Sequence, residues 1–284
     1  MRRLLLPLAL CALSTGCAGG LADVALLSSP SDQVVWDAAQ KALKKKEYGA
    51  ARQYLRRIVD AFPQSQHQAN ARIALGDAYF DEGGVANYVL AASTYREFLT
   101  LYPQYARSDY AQFRIGECYF KQKNSPDRDS TTTEEALREY ERMLDGYPQS
   151  SYVEQTRQRI HQCRQSLARG NYAVGFFYQR ARRSWRSAIG RYEIILRDYP
   201  DYDQTDEVLF RISQCLAAAG RYAEALPHIG RLSREFPTSR FVAQADKLRS
   251  SFPASSTPKA LPAASAPAPA APGAGKPTQG PSTE

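Results

Sequence analysis

Residues Trp185 to Pro200 read WRSAIGRYEIILRDYP. Ala188, Tyr192, Ile195, Leu196 and Tyr199 recur at helical spacing, and the closing proline cannot continue a helix. The same pattern is written four more times along the chain. Immediately before Pro63, Pro103, Pro148, Pro200 and Pro237 stand Phe62, Tyr102, Tyr147, Tyr199 and Phe236. Eight residues before each proline come Leu55, Tyr95, Tyr140, Tyr192 and Ile229. Twelve before is always alanine, at 51, 91, 136, 188 and 225, and fifteen before are Tyr48, Tyr88, Thr133, Trp185 and Tyr222. Five copies in register make this an internal repeat.

Each copy is preceded by a second helical pattern that pairs a small residue with a large one three positions on. The sharpest are Leu75-Gly76-x-x-Tyr79 and Ile115-Gly116-x-x-Tyr119; looser ones are Val174-Gly175-x-x-Tyr178 and Ile212-Ser213-x-x-Leu216. Small-x-x-large, then alanine, aromatic and proline, resembles the tetratricopeptide repeat. That resemblance implies an all-α superhelix of about five helical hairpins. A small residue lets one helix lie close against its partner, and proline ends the hairpin before the next begins. Successive prolines are 40, 45, 52 and 37 residues apart, longer than the family's roughly 34. The surplus belongs in turns, at Gly83-Gly84 and at Asn124 to Thr133.

Outside the repeats the composition changes. Arg2 and Arg3 precede an apolar run from Leu4 to Leu13 that is too short to span a bilayer. The following Leu13-Ser14-Thr15-Gly16-Cys17 resembles a bacterial lipoprotein cleavage box, with Cys17 as the lipidated residue. It departs from the pattern in carrying Ser14 where leucine is preferred. The alternative is an ordinary secretory signal with an incidental cysteine. With Ala18 rather than aspartate after the cysteine, the lipoprotein resemblance implies the outer membrane. The expected division is residues 1–17 as signal, 18–32 as tether and 33–252 as repeats. Residues 253–284 form a tail with eight prolines in 32 residues and too little apolar surface to offset its ordering entropy.

The formal net charge is +8, and removal of the signal takes two arginines and no acid, leaving +6. Ten arginines stand between 157 and 197, with Glu193 the only acid among the residues from Arg157 to Arg197. Guanidinium groups suit bidentate pairing with carboxylates or phosphates. An exported chain does not meet nucleic acid, so an acidic protein domain or anionic lipid headgroups fit better; a solvated face without a partner is the alternative. Cys118, Cys163 and Cys215 remain in the mature chain and read as small buried hydrophobes. His67, His161 and His228 are scattered, and no phosphate loop, nucleophile elbow or carboxylate pair is present. The chain reads as a binding protein without cofactor or metal.

In tetratricopeptide repeats the first helix of each pair lines the concave face. With Ala39, Gly76 and Gly116 as the small positions, that face would carry Trp36 and Gln40, then Ile73, Asp77 and Phe80, then Tyr110, Phe113, Glu117 and Phe120. Trp36, Ile73, Phe80, Phe113 and Phe120 are therefore candidates for a client-peptide groove. The alternative packs these rings between neighbouring helices.

Leu167 to Asp201, LARGNYAVGFFYQRARRSWRSAIGRYEIILRDYPD, resembles the fourth-repeat region of the BamD family, tetratricopeptide lipoproteins of the outer-membrane β-barrel assembly machinery. The matching pieces are Tyr172-Ala173-Val174, Phe177-Tyr178 with Arg180, Arg191, and Leu196 to Asp201. The Tyr147-Pro148-Gln149-Ser150-Ser151-Tyr152 turn also fits, whereas the tail lies outside the pattern. The resemblance implies a lipid-anchored scaffold on the periplasmic face of the outer membrane. Its C-terminal repeats would bind the POTRA region of the barrel insertase, alongside other lipoproteins of the complex. Its N-terminal repeats would receive unfolded outer-membrane proteins. Arg191, with Arg180 and Arg197, is the expected partner interface. A secretin pilotin or a division-linked peptidoglycan factor would share the anchor and the repeats.

Overall fold

The computed structural model describes residues 31–123 and 129–253. The signal, Cys17, most of the tether, part of the polar insert after Asn124 and nearly all of the tail lie outside the described residues. Eleven α-helices are present among them: α1 Asp32–Lys44, α2 Tyr48–Ala61, α3 Gln68–Glu82, α4 Val85–Leu101, α5 Ser108–Lys121, α6 Thr131–Gly146, α7 Val153–Phe177, α8 Trp185–Asp198, α9 Thr205–Ala218, α10 Tyr222–Glu235 and α11 Val242–Ser250. One π-helical turn, Tyr178–Arg182, joins α7 to the loop before α8. The first ten pair into five hairpins. Extensive helix–helix contacts join sequence neighbours, save that α11 also reaches back to α9. The core is accordingly a run of side chains along the stack, as a repeat array requires.

The aromatic-proline signature ends the second helix of every hairpin in the same way. Phe62, Tyr102, Tyr147, Tyr199 and Phe236 have φ between −124° and −135° and ψ between 57° and 66°. The following proline crowds its predecessor out of the helical region. In each turn the aromatic carbonyl accepts a backbone N–H from three residues on, at Ser65, Tyr105, Ser150, Tyr202 and Ser239. These five residues in turn accept from Gln68, Ser108, Val153, Thr205 and Val242, at the starts of the next helices. The sequence repeat is thus a repeated hydrogen-bonded corner.

Inside the hairpins, ring meets glycine. A Cβ built on Gly76 would stand 2.6 Å from the Tyr95 ring, on Gly116 2.5 Å from Tyr140, and on Gly175 2.9 Å from Tyr192. At the equivalent register Leu55 and Ile229 face repeats whose small residues are Ala39 and Ser213. A smaller second-helix side chain thus goes with a larger first-helix one. The buried hydroxyls are satisfied: Tyr95 donates to Asp77 at 2.5 Å, Tyr140 to Glu117 at 2.6 Å and Tyr192 to Gln179 at 2.8 Å.

Burial, reinforced at Tyr95 and Tyr140 by the neighbouring carboxylate, holds the pKa of all three phenols well above the ordinary tyrosine range. Unfolded tyrosines release protons near ~10, so above that pH the unfolded chain binds fewer protons and folding stability falls. In an alkaline titration followed at 295 nm and by circular dichroism, these phenols should ionise only as helicity is lost. Full ionisation of the tyrosines with the helices intact would contradict the packing.

Candidate partner-binding site

Four of the five proposed groove side chains are buried. Ile73 is fully buried, Phe113 is 4% exposed, and Phe80 and Phe120 are each 9% exposed. Phe113 stacks on Tyr152, centroids 5.1 Å apart, and lies 5.9 Å from Tyr140. Guanidinium groups cover the other rings: Arg114 sits 3.6 Å over Phe80 and Arg159 4.5 Å over Phe120. Trp36 is half-buried and stacks on His67 at 4.9 Å. For Ile73, Phe80, Phe113 and Phe120 the alternative therefore holds: helical spacing places them on one face, and packing between neighbouring helices covers it.

The acids of that face, Asp77 and Glu117, and Glu139 on α6 are occupied as well. Asp77 accepts from Tyr95 and, at 2.6 Å, from Tyr110, with Arg114 at 3.7 Å. Glu117 takes Arg159 through two hydrogen bonds, of 2.6 and 3.1 Å. Glu139 accepts from Arg96 at 2.7 Å and Gln112 at 2.9 Å; burial opposes its charge, but these partners hold its pKa below the ordinary glutamate range. Such groups fix hairpin to hairpin.

The fourth repeat differs. Arg180, Arg191 and Arg197 are all exposed. Arg191 donates to Asn171 Oδ1 at 3.1 Å, an uncharged partner that leaves its charge available. Arg197 is paired with its neighbour Asp198 at 2.8 Å and is 72% exposed, a geometry that contributes little to stability. Arg180 lies 5.8 Å from the Phe176 ring. The three are therefore not one cluster: Arg191 and Arg197 project from α8, while Arg180 belongs to the π turn.

That turn was not foreseen. Tyr178, expected as the large residue of the fourth repeat's first helix, instead begins the π segment, and Arg183 after it adopts a left-handed φ of 51°. A non-glycine residue held there costs on the order of 1–3 kcal/mol, and π turns gather at functional sites. Here the turn borders a cavity of about 600 Å³ between the fourth and fifth repeats, lined in part by Arg180, Arg183, Trp185, Arg211 and Tyr222. The sequence signal was the run RARRSWR, with four arginines and no acid.

The buried thiols of Cys118, Cys163 and Cys215 are pushed up to about 12 by burial and form no disulfide. No group of three or more His, Cys, Asp or Glu able to hold a metal occurs among the described residues. No described helix is long and apolar enough to cross a membrane.

The sequence matches the YfiO family of outer membrane lipoproteins over residues 29–225. The chain belongs to that family. The match takes in the first four hairpins, the π turn, and Arg180, Arg191 and Arg197. Among YfiO-like relatives, the chain is 25% identical over 234 residues to outer membrane protein assembly factor BamD of Caulobacter vibrioides, covering 82% of this chain and 75% of that one. It is 25% identical over 225 residues to the BamD of Haemophilus influenzae, covering 77% and 84%. MamA, of solved structure, aligns with 72% of this chain and 91% of its own, at 17% identity and a TM-score of 0.33.

Proposed function

We propose that this chain is a non-catalytic scaffold of outer-membrane protein assembly, held by lipid on Cys17 at the periplasmic face of the outer membrane. Its C-terminal repeats hold the POTRA region of the barrel insertase, and its N-terminal repeats receive unfolded outer-membrane proteins. The observation that carries this is the YfiO match across the four hairpins, with relatives that are outer membrane protein assembly factors. Arg191, exposed and without an acidic partner among the described residues, supplies the partner-facing charge.

Client contact in this reading falls on side chains that are exposed. On α4, Val85 is 66%, Val89 55% and Leu90 46% exposed, an apolar row that begins at the helix's first residue. Unfolded barrel strands rich in apolar residues are the occupant this row fits.

Affinity purification from membranes tests the partner. Insertase subunits should copurify; a secretin or a wall synthase instead would support the pilotin or peptidoglycan reading. Arg191→Glu should weaken the insertase association at least about tenfold, or ~1.4 kcal/mol, with helical content unchanged. Undiminished recovery of the insertase would remove Arg191 from the interface.

A further inference from the structure

We infer that the cavity between the fourth and fifth repeats receives an acidic, extended polypeptide segment of a partner. This deepens the scaffold reading, since Arg180 belongs to the proposed partner interface, but it stands on the cavity's own chemistry. Among the described residues, three arginines line it and no carboxylate does. Arg211 shares its charge with Glu207 at 2.8 Å, whereas Arg180 and Arg183 have no carboxylate partner among the described residues. Two unneutralised guanidinium groups facing a ligand-sized space are a site for carboxylates.

The arginines are also held in place. Phe176 stacks on Tyr172 at 6.0 Å, and its ring lies 5.1 Å from the Arg211 guanidinium and 5.8 Å from that of Arg180. Tyr172 in turn donates to Glu207 at 2.7 Å; burial and this bond push its pKa up to about 12. One aromatic plane thus sets two guanidinium groups before any ligand arrives, which lowers the ordering cost of binding. The left-handed Arg183 closes the same wall.

Arginines alone would accept phosphate as readily. The rest of the wall favours polypeptide. Gln214 accepts from Gln179 at 3.2 Å through its carbonyl oxygen, and its own amide N–H groups have no protein partner among the described residues. Side-chain amides in that condition suit backbone carbonyls. Trp185, Tyr222 and Leu248 add an apolar margin for a neighbouring side chain. The chain's own residues 254–284 are a poor occupant, with two lysines against one acid.

The chain has two tryptophans, so Trp36→Phe leaves Trp185 as a single reporter on the cavity wall. The full chain carrying this change is titrated with an acetylated, amidated decapeptide of alternating glutamate and leucine, and with its glutamine counterpart. The acidic peptide should shift Trp185 emission saturably, and its affinity should fall about tenfold between ~50 and ~300 mM salt. The glutamine peptide should not bind. Arg180→Gln and Arg183→Asn should each weaken binding at least about fivefold; asparagine tolerates positive φ and preserves the turn. Arg138→Gln on α6 should leave it unchanged.

Equal binding of both peptides, or full affinity in the Arg180 and Arg183 variants, would overturn the proposal. Binding of inorganic phosphate or phosphatidylglycerol vesicles in place of the acidic peptide would overturn it in favour of a phosphate or a lipid headgroup. Because the readout uses no insertase, peptide binding lost in Arg183→Asn but kept in Arg191→Glu supports the cavity even if the insertase fails to copurify.

Discussion

Replacing Phe113 with alanine should lower folding stability by about 3–5 kcal/mol, the usual range for deleting a buried ring. Phe113 is 4% exposed, stacked on Tyr152 and close to Tyr140. Deletion therefore empties a space bounded by Tyr140, whose hydroxyl is bound to Glu117, and by Tyr152, which also meets Tyr110, so the site cannot collapse cheaply. Chemical denaturation of the variant and the parent measures the difference. Client-peptide affinity at concentrations where the variant remains folded should be unchanged. Weakened client binding with parent-like stability would return Phe113 to an open groove. Because contacts run between neighbours along the stack, the loss should fall first on the third hairpin, and the transition should broaden as well as shift.

Gly116→Ala and Gly190→Ala should move stability in opposite directions. In a helix interior alanine is favoured over glycine by about 1 kcal/mol. At Gly190 on α8 a Cβ would meet nothing within 4 Å, so that gain is realised. At Gly116 the same atom would stand 2.5 Å from Tyr140 Cε1 and 2.6 Å from Cδ1. Tyr140 cannot swing aside freely: it is fully buried and its hydroxyl is bound to Glu117, which also holds Arg159. Either α5 and α6 separate or the Tyr140–Glu117 bond breaks. Overpacking of this kind costs about 1–3 kcal/mol, more than the helix propensity returns, and the bond adds about 1 kcal/mol if lost. Thermal unfolding of the pair is the check; a stabilised Gly116→Ala would mean that the helices are not in contact through this glycine.

The hairpin count, the helix ends and the pairing of small with large residues were legible because each has a local cause. A proline forces its aromatic predecessor out of the helix wherever it stands, and five copies report the same corner. The openness of the first-helix face was not legible. Periodicity says that Ile73 and Phe80, or Phe113 and Phe120, share a face; whether a neighbouring hairpin covers it depends on how closely the helices approach. Here the next hairpin comes near enough for Arg114 to reach Phe80, Tyr152 to stack on Phe113 and Arg159 to cover Phe120. Asp77 and Glu117 stood out as groove acids but serve as acceptors for tyrosine hydroxyls, an arrangement that joins residues 18 and 23 positions apart. At the candidate site the arginine surplus was visible, and its division was not. Charge counts do not show that Arg197 pairs with Asp198 while Arg180 and Arg183 edge a cavity. The π turn that carries Arg180 left no sign in the sequence beyond the arginine run itself.

The central claim is that the fourth repeat is a docking face for the barrel insertase. A photoreactive amino acid placed at position 191 of the full chain, irradiated in living cells, tests it at the contact itself. The account predicts one dominant adduct, containing the insertase, which disappears when the photoreactive residue is moved to position 138 on α6. Adducts that contain only a secretin or a wall synthase would contradict it.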